Sequence, residues 1–151
     1  MANSQAMCTS FKGEILSGIH ALGTTVVRAG TGADTLKAAL YFASASLGAG
    51  TTVYSATGEV TGTNYSAGGI TVTNATAPTT SGTTAYWTPS ASFSWSNVTI
   101  STAFDAVLLY NSTQSNKAIS VSTFSSQTIT AGTFTLTMPT NAPTTALLNI
   151  G

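Results

Sequence analysis

The stretch Phe104-Asp105-Ala106-Val107-Leu108-Leu109-Tyr110-Asn111 decides the fold. Read as a strand, one face carries Phe104, Ala106, Leu108 and Tyr110, and the other carries Asp105, Val107 and Leu109. A strand that is apolar on both faces belongs in the middle of a sheet, with something covering each side. It ends at Asn111-Ser112-Thr113, a cluster of turn formers. The other strands are expected to pack around it.

Working outward, residues 117–124 alternate, with Ile119 and Val121 on one side, and 127–130 reads as a bulged continuation. Residues 133–138 alternate cleanly: Phe134, Leu136 and Met138 point inward and Thr133, Thr135 and Thr137 outward. Pro139 and Pro143 bracket a turn, and 146–150 closes the chain as a strand. Upstream, 84–87 and 92–95 are aromatic strands separated by Pro89, and Val98 and Ile100 lead into the central strand. Residues 78–82 read as a turn, 70–74 as a short strand, and 35–43 as a strand with Leu36, Ala38, Leu40 and Phe42 on one face. Val26-Val27 is a further short strand candidate, followed by a glycine-rich turn through Gly30 and Gly32. Residues 48–69 form a long connection anchored by Val53, Tyr54, Val60 and Tyr65, and such a loop in a compact domain is usually contact-making.

Phe11, Ile15, Leu16 and Ile19 recur at helical spacing. Ser10 is the expected N-cap and Gly23 the expected stop. Gly13 and Gly18 weaken the helix, each by about 1 kcal/mol relative to Ala. Two placements are open: the apolar face lies on the chain's own sheet, over Val107 and Leu109, or it docks on a neighbouring subunit. The expected fold is all-β: an antiparallel β-sandwich, jelly-roll-like, of about eight strands in a single domain over 1–151, with 9–22 as an N-terminal helix or arm.

Charge narrows the function. Globular proteins carry about 25% charged residues; this chain has 5%, with zero net charge. Serine and threonine fill 49 of the 151 positions, so hydroxyls rather than ions cover the surface. Four scattered cations cannot make the basic patch that phosphate binding needs, so nucleic acid is not an expected partner. Such a surface suits a protein assembled against other copies or a lattice. The segment before Gly23 is broken by Lys12, Glu14 and glycines, which does not read as a secretory leader, and no apolar run reaches membrane-spanning length. The expected location is a cytosol, or release by lysis, with no membrane partner. The four Asn-x-Ser/Thr sequons, at Asn64, Asn74, Asn97 and Asn111, are expected by chance in so hydroxyl-rich a chain.

No constellation of catalytic residues stands out. His20 is the single histidine, and Cys8, the single cysteine, reads as a small apolar residue near the N-terminus. Glu59 and Asp105 are the best candidates for paired-carboxylate chemistry, but nothing in their spacing joins them. Asp105 is expected to be structural, paired with Lys37 or Lys117. Tyr86, Trp87, Phe93 and Trp95 could stack on a sugar, although aromatics alternating in strands are more often core. The expectation is no catalytic residue, no metal and no cofactor.

Several pieces then resemble a known family. They are Met7 to His20 (Met-Cys-Thr-Ser-Phe-Lys-Gly-Glu-Ile-Leu-Ser-Gly-Ile-His), Asp34 to Tyr41, Ala106 to Asn111, and the run from Glu59 to Gly69, Glu-Val-x-Gly-x-x-Tyr-x-x-Gly-Gly, the most specific of them. In this order and spacing the chain resembles small virion proteins of tailed bacteriophages over nearly its whole length. The resemblance implies a capsid decoration or cement protein on the outside of the head, with the major capsid protein and further copies of itself as partners. The alternative is a tail, neck or fibre component whose β-sandwich binds a receptor or carbohydrate. Candidate capsid or subunit contacts are Phe11, Ile15, Leu16 and Ile19 of the helix and Val60 and Tyr65 of the long loop.

Overall fold

The structure, a computed structural model, describes residues 2–16, 18–23 and 32–151, without the side chains of Lys12 and Leu16. The Val26-Val27 candidate lies outside the described residues. Eight strands and one helix are described: β1 (Ala6–Met7), α1 (Thr9–Leu16), β2 (Leu36–Phe42), β3 (Ile70–Thr71), β4 (Thr79–Ser81), β5 (Thr84–Trp87), β6 (Phe93–Asn111), β7 (Lys117–Leu136) and β8 (Leu148–Ile150). The fold is all-β, with two antiparallel sheets ordered β1-β7-β6-β2-β3 and β4-β5-β8. Buried side chains of both sheets, including Leu108 and Ile119 of the first and Trp87 and Leu148 of the second, belong to one core cluster.

The opening stretch lies where its pattern places it. β6 sits between β7 and β2, and residues from Ala106 to Asn111 are all buried. Its partner β2 is buried from Ala38 to Tyr41, because this part of the sheet is covered on both faces. Two strands are far longer than their alternation suggests. Residues 92–95 and 104–111 were expected as separate strands, as were 117–124 and 133–138; β6 and β7 instead run 19 and 20 residues as one hairpin. Register shifts absorb the breaks in pattern, and Asn97 (φ 53) and Ala131 (φ 46) lie in the left-handed region beside them.

Two local expectations are corrected. Residues 78–82 are not simply a turn, because Thr79–Ser81 pair with β5; the turn itself shrinks to Gly82-Thr83, with Gly82 at φ 59. The first described residues are tied down by side-chain hydrogen bonds. The Asn3 amide donates to the Phe42 carbonyl at 3.1 Å and to Asp105 at 2.6 Å, and its oxygen accepts the Leu47 N–H at 2.9 Å. Asp105 therefore serves Asn3, rather than the expected Lys37 or Lys117.

The helix is also shorter than expected. It begins at Thr9, and the Ser10 hydroxyl, expected as its cap, is buried without a hydrogen-bond partner. It ends at Leu16 instead of running to 22. Gly18 adopts φ 66 and its N–H reaches the Ile15 carbonyl at 2.9 Å, while the Ile19 N–H reaches the Glu14 carbonyl at 3.0 Å. This is the Schellman pattern, in which a left-handed glycine reverses the chain at low steric cost. α1 lies against β7 of its own sheet, with Phe11 fully buried and Ile15 half-buried against the core.

Candidate contact site

A buried carboxylate ties together Tyr54, Tyr65 and Gly68 of the long connection over 48–69. Residues 58–60 run beside β2: Phe42 N–H bonds the Gly58 carbonyl at 2.9 Å and Val60 N–H the Leu40 carbonyl at 3.0 Å. That places Glu59, 5% exposed, under the loop. Its Oε2 accepts the Tyr54 hydroxyl at 2.5 Å; its Oε1 accepts the Tyr65 hydroxyl at 2.8 Å and the Gly68 N–H at 2.7 Å. Tyr65 also accepts the Leu40 N–H at 3.0 Å, and Tyr110 donates to the Gly68 carbonyl at 2.8 Å. Tyr54 stacks on Tyr110 with ring centroids 4.8 Å apart. A buried carboxylate is tolerated when hydrogen bonds replace its water, and here three donors do so.

This geometry explains the Glu-Val-x-Gly-x-x-Tyr-x-x-Gly-Gly run. Glu59, Tyr65 and Gly68 are the clasp itself, and Val60 is buried beside it. Gly69, at φ 68, presses on β2: a methyl there would lie 1.9 Å from the Ala38 carbonyl oxygen. The run is thus a loop-locking device. Around it, Thr61, Thr63, Asn64, Ser66 and Ala67 are exposed, giving an uncharged, preformed surface.

The six candidate contacts divide accordingly. Phe11 and Val60 are buried within the chain, 0% and 2% exposed. Tyr65 is half-buried with its hydroxyl committed to Glu59. Ile15 and Ile19 are half-buried at the surface, and the Leu16 side chain lies outside the described residues. Phe11 and Ile15 also line an apolar cavity of about 190 Å3 shared with Leu22, Trp87, Leu148 and Ile150, between the helix and the small sheet.

A second network, which the sequence does not announce, pins the segment after the helix. The Gly18 turn brings His20 back so that Nε2 meets Glu14 at 2.7 Å and Nδ1 meets the Asn111 amide at 3.0 Å. Lys117 donates to the other Glu14 oxygen at 2.6 Å. Asn111 and the Ala21 N–H both donate to Asp34 Oδ2, at 2.8 and 2.6 Å, and Gln114 donates to Oδ1 at 3.1 Å. The His20 side chain is fully buried and edge-on to Phe11, with ring centroids 4.7 Å apart. The histidine ties the N-terminal segment to the end of the central strand, where both ring nitrogens already have partners.

These networks make stability pH-dependent at both ends. Burial alone would raise the Glu14 carboxyl, but hydrogen bonds from Lys117 and His20, with their charge, outweigh it and hold it below its ordinary 4.5. A carboxylate lowered on folding contributes stability that is full above the unfolded value and lost as pH falls through the folded one. Burial first, and Glu59 second, raise the Tyr54, Tyr65 and Tyr110 phenols above their ordinary 10.0. Burial likewise raises Tyr41. For a raised phenol the contribution is full below the unfolded value and lost as pH rises beyond it. Thermal melts should therefore be flat between about pH 5 and 9 and fall on both sides. In a spectrophotometric titration, Tyr41, Tyr54, Tyr65 and Tyr110 should ionise only with unfolding; more than one of the chain's five phenols ionising near pH 10 while it is folded would contradict the clasp.

The two carboxylates weighed as a catalytic pair have different partners: Glu59 accepts from the tyrosines and Asp105 from Asn3. Trp87, Phe93 and Trp95 are buried, and Tyr86 is half-buried. Cys8 is fully buried, and its thiol is pushed up to about 11 by burial and by the Glu14 charge. Among the described residues no cluster of three or more His, Cys, Asp or Glu could hold a metal ion, and no helix is long and apolar enough to cross a membrane. Compared with protein-family models, curated proteins and solved structures, the chain matches none.

Proposed function

We propose that this chain is a structural protein of a bacteriophage virion, a decoration or cement protein that binds the outside of the capsid and reinforces the joints between capsomers. Its partners are the major capsid protein and other copies of itself, and it carries out no catalysis. The observation that supports this reading best is the placement of charge. All four carboxylates, Glu14, Asp34, Glu59 and Asp105, accept hydrogen bonds from groups of the same chain. The exposed loop presents hydroxyl, amide and methyl groups, held in shape before it meets a partner. A preformed surface loses little entropy on docking, and one without ions grips independently of salt. Weak contacts suffice when many copies sit on one lattice.

The tail or fibre reading relied on aromatic residues for carbohydrate stacking, and three of those four rings are in the core. The experiment is quantitative mass spectrometry of purified virions. The chain should be present in fixed proportion to the major capsid protein and should stay bound in about 1 M salt. Ala67→Arg, at an exposed loop position, should reduce binding to capsids at least tenfold while leaving the melting temperature unchanged. A few copies per particle, release by salt, or undiminished binding of Ala67→Arg would count against the reading.

A further inference from the structure

We propose that the outer edge of the last residues of β7, Thr133-Phe134-Thr135-Leu136, extended by Thr137 just past the end of the strand, pairs antiparallel with the same segment of a second copy of this chain. On one side β7 is paired with β6 along its length. On the other, among the described residues, the partners lie at its start: Ala6–Met7 pair with Val121 and Ser120, and Val53 bridges Lys117. Beyond Val121 the edge has no strand neighbour among the described residues. Open edges are normally guarded by lysine, proline or an inward charge. This one has none of these: no charged residue follows Lys117, and the next proline is Pro139, just past the segment. The bulge at Ala131 disrupts the strand upstream and leaves the straight stretch downstream of it.

The choice of a second copy follows from the segment itself, whose pattern reads alike in both directions. Laid antiparallel about Thr135, that residue faces its own copy, Thr133 faces Thr137, and Phe134 faces Leu136. Cross-strand threonine pairs and apolar pairs are both favourable. The three threonines are exposed. Phe134 is anchored in its own core against Phe104 and Phe124, at 5.2 and 4.8 Å between centroids, whereas Leu136 is only half-buried. A two-fold axis at Thr135 closes the interface on itself and ends the growth of the sheet at two copies. The inference stands apart from the capsid reading and applies to the chain in solution.

Sedimentation equilibrium of the purified full chain tests it. The chain should dimerise below about 100 µM. Thr135→Lys, which sets two like charges opposite each other, should weaken the dimer at least tenfold with an unchanged circular dichroism spectrum. Thr135→Cys should form an intermolecular disulfide on oxidation, since directly opposed residues have Cα atoms about 4.5–5.5 Å apart. The exposed Thr128→Cys, upstream of the bulge, should not, and the buried Cys8 leaves the readout clean. A monomer, an odd-numbered oligomer, a Thr135→Lys chain that dimerises like the parent, or Thr135→Cys cross-linking no better than Thr128→Cys would overturn the proposal.

Discussion

Replacing Glu59 by alanine is expected to remove about 3–5 kcal/mol of folding stability, a large part of the 5–15 kcal/mol typical of a domain. The effect comes from what the carboxylate leaves behind. The Tyr54 and Tyr65 hydroxyls and the Gly68 N–H all lose their acceptor in a site that is 5% exposed. Each stranded buried donor costs about 1–3 kcal/mol, and water entering the space recovers part of that. Glu59→Gln keeps one acceptor oxygen and should cost roughly half as much, because the hydroxyls can rotate to accept from the new amide. Loss of the clasp should also free the loop, so amide exchange should accelerate at Gly68, whose N–H is bonded to Glu59. Urea denaturation with hydrogen exchange measures both. A loss under about 1 kcal/mol would show that the loop is held by something other than Glu59.

Phe11→Ala should cost the isolated chain about 3–5 kcal/mol, the usual result of removing a fully buried aromatic side chain. The ring sits edge-on to His20 and lines the cavity next to Trp87 and Leu148, so its removal enlarges a void that already measures about 190 Å3. Had the helix served only to dock on a neighbour, the same substitution would leave the lone chain almost unchanged. Chemical denaturation of dilute protein separates the two. A midpoint close to that of the parent would mean that Phe11 is not part of this chain's own core.

How legible the molecule was depended on how local each signal is. The central strand could be read because its apolar residues are consecutive and its end is marked by turn formers. The length of β6 and β7 could not, since bulges at Asn97 and Ala131 continue the pairing through residues that look like breaks. Asparagine tolerates the left-handed region and so gives a faint signal; alanine gives none. Gly18 was visible as a weak point in the helix, yet its place after a helical run and before Ile19 is equally a stop signal, and that is the role it takes.

The site was legible only as a pattern. The Glu59 to Gly69 run stood out as a signature, but its meaning depends on Tyr54, Tyr110 and the β2 backbone, which no spacing rule connects to it. His20 and Asn111 are 91 residues apart, so their contact carries no local trace at all. The sparse charges offered one general clue. When a chain has so few, each is apt to hold the structure together, and every one of the four carboxylates does.

Cryo-electron microscopy of intact particles carrying this chain is the most direct test of the proposed role. The account predicts copies repeating over the outer surface of the head at the joints between capsomers, with the 57–69 loop turned toward the shell. Density confined to the tail or neck, or heads bare of it, would contradict the account.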